Sequence, residues 1–233
     1  MSALGPEAAR LTRLRAAATQ LQLELTDGNA QRLLAFVDLL HRWNGTYNLT
    51  AVRDPDEMLV QHLFDCLAVV APLRRKVQLP ERLPGRLPER RPTRLLDVGS
   101  GGGLPGVVLA VLIPDLDVTC VDAVGKKAAF IRQVGAELGL RNLHAEHSRV
   151  EGLRAAPFDV VSSRAFASLV DFTRLTQAHL ADTGMWMAMK GKRPDAELVA
   201  LPTDVQVFHV EPLDIPELNA ERCLVWMRVA DGH

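Results

Sequence analysis

The residues with the clearest chemistry lie in one stretch, Arg94-Leu-Leu-Asp-Val-Gly-Ser-Gly-Gly-Gly-Leu-Pro-Gly106. A short apolar run, Leu95 to Val98, carries an acid, Asp97, and ends in a glycine cluster. Glycine at 99, 101 and 103 permits backbone angles and a close approach that a side chain would block. Such a turn can present amide N–H groups to a cofactor at the carboxyl edge of a parallel sheet. Two registers compete. Gly101-x-Gly103-x-x-Gly106 fits the dinucleotide pattern, which alone is weak evidence. Asp97-x-Gly99-x-Gly101-x-Gly103 fits the pattern of S-adenosylmethionine (SAM) enzymes. A purely structural glycine turn is the third reading. Asp97 before the turn and a late pair of strands favour SAM, as does the want of an evident redox substrate domain. Asp122, ending the next strand, is placed for ribose hydroxyls in either cofactor class.

The acceptor is narrowed by exclusion. The fourth strand ends Ser162-Ser163-Arg164-Ala165, without the Asn/Asp-Pro-Pro-aromatic motif that holds an exocyclic amine. No Pro-Cys pair offers the nucleophile of cytosine C5 methylation. An acceptor needing neither covalent attack nor strong deprotonation fits, and guanine N7 is one such option. Its lone pair is exposed and carries no proton, so positioning and water exclusion would suffice. His62 and Asp65 have no metal-ligand partner at useful spacing and read as structural or surface groups. Cys66, Cys120 and Cys223 form no CxxC pair and fit no zinc pattern. They read as reduced, buried residues, and no metal is expected.

The elements that must position these residues alternate from Arg94 onward. Strands are expected at 95–98, 117–122, 142–145, 158–163 and 185–189, with two late antiparallel strands at 205–210 and 223–229. Helices are expected at 107–113, 126–138, 168–180 and, weakly, 194–201, with a short turn at 150–153. Pro105 suits a first helical position. This alternation predicts an α/β fold, a doubly wound sheet with helices on both faces. Upstream, helices are expected at 6–24, 30–43 and 54–70. The last starts at Asp54-Pro55-Asp56-Glu57, with an N-cap, a proline and first-turn acids. Between them, Trp43 to Thr50 reads as a packed loop anchored by Trp43 and Tyr47, with a substrate-facing loop on which either ring could stack as the alternative. The prolines from Pro72 to Pro92 mark a linker. The expected domains are therefore a helical extension at 1–71, a Pro/Arg-rich linker at 72–93 and a cofactor-binding core at 94–233.

Composition bounds the partners. The chain has 233 residues, enough for one large core with an appended subdomain. Its formal net charge is −1, which argues against indiscriminate nucleic-acid binding. A basic face is still available, because Arg74 to Arg94 holds eight Arg/Lys and two Glu. The apolar runs are too short for a membrane span, and the N-terminus lacks a secretory core, so a cytoplasmic location is expected.

Several blocks in one order carry a family likeness. They are His41-Arg42-Trp43-Asn44 with Tyr47-Asn48-Leu49-Thr50, Arg53 to His62, Leu96 to Gly106, Ser148-Arg149-Val150-Glu151, Ser163 to Ala167, and Met189-Lys190-Gly191. From about Leu33 to Val229 the chain resembles the RsmG (GidB) family, bacterial small-subunit (16S) rRNA guanine-N7 methyltransferases. The resemblance implies a Rossmann-like SAM-dependent methyltransferase fold with a seven-stranded sheet and an N-terminal helical extension. It implies SAM over Gly99, Gly101 and Leu104, with Asp122 at the ribose and Val150 and Glu151 at the adenine. Arg164 would meet the methionine carboxylate or orient the target guanosine. Asn48, Arg53, His62, Lys126, Arg149 and Lys190 become candidates for contacting ribosomal RNA, as the free molecule or in the small subunit. A monomer is expected, with neither membrane nor metal as partner. Two departures stand out. Gly102 replaces the family's usual proline or alanine and should loosen the turn, and the Pro/Arg-rich linker is long.

Overall fold

The computed structural model describes residues 5–77, 92–164, 166 and 168–230. The chain opens with α1 (Pro6–Gln20) and α2 (Asp27–Tyr47). The Thr26 hydroxyl caps α2 by accepting from Asn29 N at 3.2 Å. Helix α2 runs four residues past the expected end at Trp43 and stops at Asn48, which adopts a left-handed φ of 50°. Asn44 explains the extension. Its side chain donates to Val52 O (2.9 Å) and accepts from Thr50 N (2.9 Å), so the chain folds back beside the helix.

Asp54 caps α3 (Pro55–Met58) through Asp56 N and Glu57 N, as its type and position predict. The helix then widens into a π-helical segment, Leu59–Phe64, before a last turn, α4 (Asp65–Leu67). The segment expected to begin a linker instead forms α5 (Val70–Val77), with Pro72 and Leu73 buried. Arg74 donates to Leu112 O (2.7 Å) and Arg75 pairs with Glu211 (3.0 Å). The remainder of the expected linker, 78–91, lies outside the described residues.

One seven-stranded sheet follows, in the order β3-β2-β1-β4-β5-β7-β6. Its strands are β1 (Thr93–Val98), β2 (Leu116–Asp122), β3 (Leu143–His147), β4 (Phe158–Ser163), β5 (Leu180–Lys190), β6 (Val205–Leu213) and β7 (Arg222–Val229). Strand β7 is antiparallel to both its neighbours, and the other pairings are parallel. The connecting helices include α6 (Gly106–Leu112), α7 (Gly125–Leu138), α8 (Leu169–Thr176) and α9 (Asp195–Val199).

Strand alternation divides the core in two. Leu95, Val118, Val160, Met187 and Leu224 face a layer of α6 and α7 that also contains Leu33, Phe36 and Leu40 of α2 and Phe64 of the π segment. Leu96, Val98, Val161, Trp186 and Val225 face Leu169 and Phe172 of α8 on the other side. The N-terminal helices thus share a core with the sheet. Gly102 is part of that contact: a Cβ there would lie 2.9 Å from Leu40 Cδ1. Glycine at 102 lets α2 press on the turn, so the expected loosening is replaced by packing.

Candidate active site

The parallel strands bring their carboxyl ends to one edge, and the order reverses between β1 and β4. In doubly wound sheets the ligand crevice opens at that reversal. Here it is flanked by Gly99 after β1 and Arg164 after β4.

The turn on the β1 side is closed by its own backbone. Gly99 N donates to Val121 O (2.9 Å), and Gly103 N and Leu104 N donate to Ser100 O (2.8 and 3.0 Å). Gly101 N donates to Asp122 Oδ2 (3.0 Å) and Val124 N to Asp122 Oδ1 (2.8 Å). Most of the amides expected to face a cofactor are therefore already bonded, within the turn or to β2. What the turn supplies is space. Gly99 has φ +66°, and nothing lies within 4 Å of the Cβ position it leaves empty. Gly106, by contrast, is a contact point, where a Cβ would collide with Cys120 Sγ. Pro105 stands just ahead of α6 rather than in its first turn.

Asp97 does not face the crevice. It is fully buried, accepting from Gly106 N (3.0 Å) and from Ser162 Oγ (3.2 Å). Burial pushes its carboxyl up to about 7, against these hydrogen bonds, which favour the charged form. Its role is to lock β1 to α6 and β4. Asp122 is also buried, yet a carboxylate has lone pairs left after two such bonds. Leu104 and Val150 are buried, and Glu151 is exposed on a short 3-10 turn. His179 Nε2 lies 2.7 Å from Val150 O and holds that turn.

The β4 side is built from side chains. Arg164 donates through Nη1 to Asp65 Oδ2 (3.3 Å) and Gln61 O (3.3 Å). Arg222, at the start of β7, donates through Nε to the other oxygen of Asp65 at 2.9 Å. The π segment makes this possible. Asp65 N donates to Val60 O and His62 O, bypassing Gln61 O and leaving that carbonyl for Arg164. Such π turns recur at functional sites.

His62 completes the cluster. Its Nδ1 faces Arg164 Nη2 at 3.5 Å, and its Nε2 lies 2.7 Å from Thr50 Oγ1. A guanidinium only donates, so Nδ1 is the acceptor and the ring proton sits on Nε2. Burial and the adjacent Arg164 lower the imidazole to about 4. The ring is thus buried and engaged within the fold, between Thr50 and Arg164.

The other candidates separate by exposure. Lys190 is also drawn inward: it is paired with Glu197 at 2.8 Å, and that carboxylate also accepts from Leu169 N at the start of α8. Its ammonium is thus engaged within the fold. Asn48, Arg53, Lys126 and Arg149 are exposed. Arg53 donates to Asn48 Oδ1 (3.4 Å), and its carbonyl meets His41 Nδ1 at 3.1 Å. Lys127, beside Lys126, lies 3.7 Å from Asp122. Asp65 and Arg222 were missed as site residues, and Tyr47, expected to be a core anchor, is 41% exposed. A hollow of about 350 Å³ among α1, α2 and α3 shares no lining residue with the turn or the Arg164 cluster. Among the described residues no group of three or more acids, histidines or cysteines could hold a metal, and no helix is long and apolar enough to cross a membrane.

The sheet order, its single reversed strand and the glycine turn at the reversal define a Rossmann-like SAM-dependent methyltransferase fold. Solved structures agree on that fold. TrmN from Thermus thermophilus has TM-score 0.54 and 18% identity, covering 74% of this chain and 53% of its own. Coclaurine N-methyltransferase has TM-score 0.51 and 10% identity, covering 89% and 74%.

Within that class the chain belongs to the GidB family, described as rRNA small subunit methyltransferase G, whose family model matches residues 29–225. Relatives named "Ribosomal RNA small subunit methyltransferase G" include one from Paracidovorax citrulli, 57% identical over 94% of this chain and 90% of its own length. One from Acidovorax ebreus is 58% identical, covering 92% and 93%. The chain is a methyltransferase.

Proposed function

We propose that this enzyme transfers the methyl group of SAM to N7 of a guanine in small-subunit (16S) ribosomal RNA. The observation that carries this reading is the pairing, across the β1/β4 crevice, of the open space above Gly99 with the Arg164 guanidinium. The family and the names of its relatives supply the RNA.

SAM supplies an electrophilic methyl group on a sulfonium. Gly99, Gly101 and Leu104 would form the wall that holds it, and the remaining lone pairs of Asp122 would receive ribose hydroxyls. Val150 and Glu151 would bracket the adenine. Arg164 would bind the methionine carboxylate or orient the guanosine, with Asp65 and Arg222 holding the guanidinium in place. No side chain need act as a base. N7 bears no proton, the His62 lone pair is turned to Arg164, and Asp97 is sealed inside the turn. The chain's contribution is alignment and exclusion of water. Asn48, Arg53, Lys126 and Arg149 form the exposed RNA-facing set, and Lys190 supports it by anchoring α9.

The test is transfer of labelled methyl from SAM to unmethylated ribosomal RNA, offered as 30S particles, as 50S particles and as stripped RNA. Label entering only small-subunit RNA supports the reading. Label in no ribosomal RNA, or only in large-subunit RNA, overturns it.

A further inference from the structure

We propose that the Tyr47 ring is a stacking platform for a nucleobase of the RNA substrate, splayed out beside the target guanosine. This rests on the RNA reading above and adds a specific aromatic contact to it.

Tyr47 is the single tyrosine of the chain. Among the described residues the exposed large apolar side chains are Tyr47, Val124, Val199 and Val229, so Tyr47 is the one aromatic of the set. It is not a loose surface ring. Its centroid lies 5.1 Å from Trp43, which lies 5.4 Å from Phe130, which lies 6.4 Å from Phe36. Phe130 and Phe36 are fully buried. The four rings form a column rising from the core to the surface, with Tyr47 as its open end. A ring seated this way loses little further freedom when a base lands on it.

Its surroundings suit RNA and lead to the crevice. Asn48 follows directly as the left-handed helix cap, tied to exposed Arg53. Thr50 is three residues on, within about 10 Å of Tyr47 along even a fully extended chain. Thr50 meets His62 at 2.7 Å, and His62 meets Arg164 at the end of β4. Asn44, buried beneath, fixes both sides of this bend. The exposed ring, an amide and a cation therefore sit at the end of α2 and in the bend after it, whose inner face reaches the Arg164 cluster through Thr50 and His62. Proteins that read unpaired RNA hold splayed bases on such aromatic faces.

The test uses the full chain with Tyr47→Ala, Tyr47→Phe and Tyr47→Trp. Methyl transfer is measured against RNA concentration, RNA binding by anisotropy of a labelled unmethylated fragment, SAM affinity by calorimetry, and folding by thermal unfolding. Tyr47→Ala should weaken RNA binding and raise KM for RNA about tenfold, since base–aromatic stacking is sequence-tolerant but substantial. Tyr47→Phe and Tyr47→Trp should restore RNA affinity to within about twofold, because both keep a π face. SAM affinity should not move in any of the three; Tyr47→Ala should lower the unfolding temperature slightly through the lost contact with Trp43, and the two aromatic variants should not. Unchanged RNA affinity in Tyr47→Ala, or equal loss in Tyr47→Phe, overturns the proposal while leaving methylation by the wild type intact. A wild type that neither binds nor methylates the RNA overturns the function proposed above, and the platform with it.

Discussion

The two walls of the crevice are built in different ways. The β1 wall is built mostly from backbone: the amides of its glycine turn bond Ser100 O, Val121 O of β2 and the buried carboxylates of Asp97 and Asp122, which accept mostly main-chain N–H groups. The β4 wall is a knot of side chains, in which Asp65 joins arginines from β4 and β7 and His62 fills the remaining side. The first construction leaves a smooth surface for a cofactor, fixed by chain geometry. The second leaves a cation whose position depends on charge neutralisation by a residue far away in sequence.

The largest effect expected on this contrast comes from Gly99→Asp. A side chain at φ +66° is strained and would fill the open space with a charge. SAM affinity should fall at least about a hundredfold while the β4 wall stays intact. Calorimetry checks this, and normal affinity would remove Gly99 from the pocket.

Next is Asp65→Asn, which keeps the shape and removes the charge shared by Arg164 and Arg222. Both arginine side chains are about a quarter exposed, so solvent softens the loss to about 1–3 kcal/mol of stability. Denaturant unfolding measures that loss. The methylation rate should drop by more than SAM affinity does, and a loss confined to stability would leave Asp65 a purely structural group.

The two walls should also respond oppositely to pH. Asp97 titrates higher folded than unfolded, from 3.8 to about 7, so its contribution to stability falls as pH rises through that window. His62 titrates lower, from 6.5 to about 4, so its contribution falls as pH drops through that window. In the wild type the two trends oppose each other where the windows overlap. Asp97→Asn should remove the fall with rising pH, and His62→Gln the fall with dropping pH. Stability-versus-pH curves for both variants check this; two variants with superimposable curves would contradict it.

The smallest effect is at Lys190. Lys190→Ala breaks a partly exposed pair with Glu197, worth about 0–1 kcal/mol. RNA affinity should weaken modestly with SAM affinity unchanged, as titrations of both ligands would report. Equal loss of both would point to a folding defect.

The same contrast explains what the sequence revealed. Most contacts of the β1 wall are local: Asp97 reaches Gly106 nine residues on, and Gly101 meets Asp122 twenty-one residues on, with the Asp97–Ser162 bond the long-range exception. Strand periodicity, glycine spacing and the acid ending β2 therefore predicted the wall, though not that its amides are spent internally. The β4 wall joins Asp65 to Arg164, ninety-nine residues away, and to Arg222, one hundred and fifty-seven away. No spacing rule spans such distances. The six-residue π segment was equally hidden, because so short a run does not separate a wider helix from an ordinary one. Tyr47 was misplaced because an aromatic in a turn-rich segment reads as an anchor of a packed loop, whereas α2 continues through it to its last residue and leaves it 41% exposed. The block containing Arg164 marked that residue as functional, but not the carboxylate that holds it.

In the function proposed above, the crevice delivers a methyl group to a nitrogen that has no proton to lose. The most direct test is nucleoside analysis of small-subunit RNA after a single turnover with labelled SAM. The label should be recovered as 7-methylguanosine from one position. Label on an exocyclic amine, on a ribose or on a pyrimidine would contradict it.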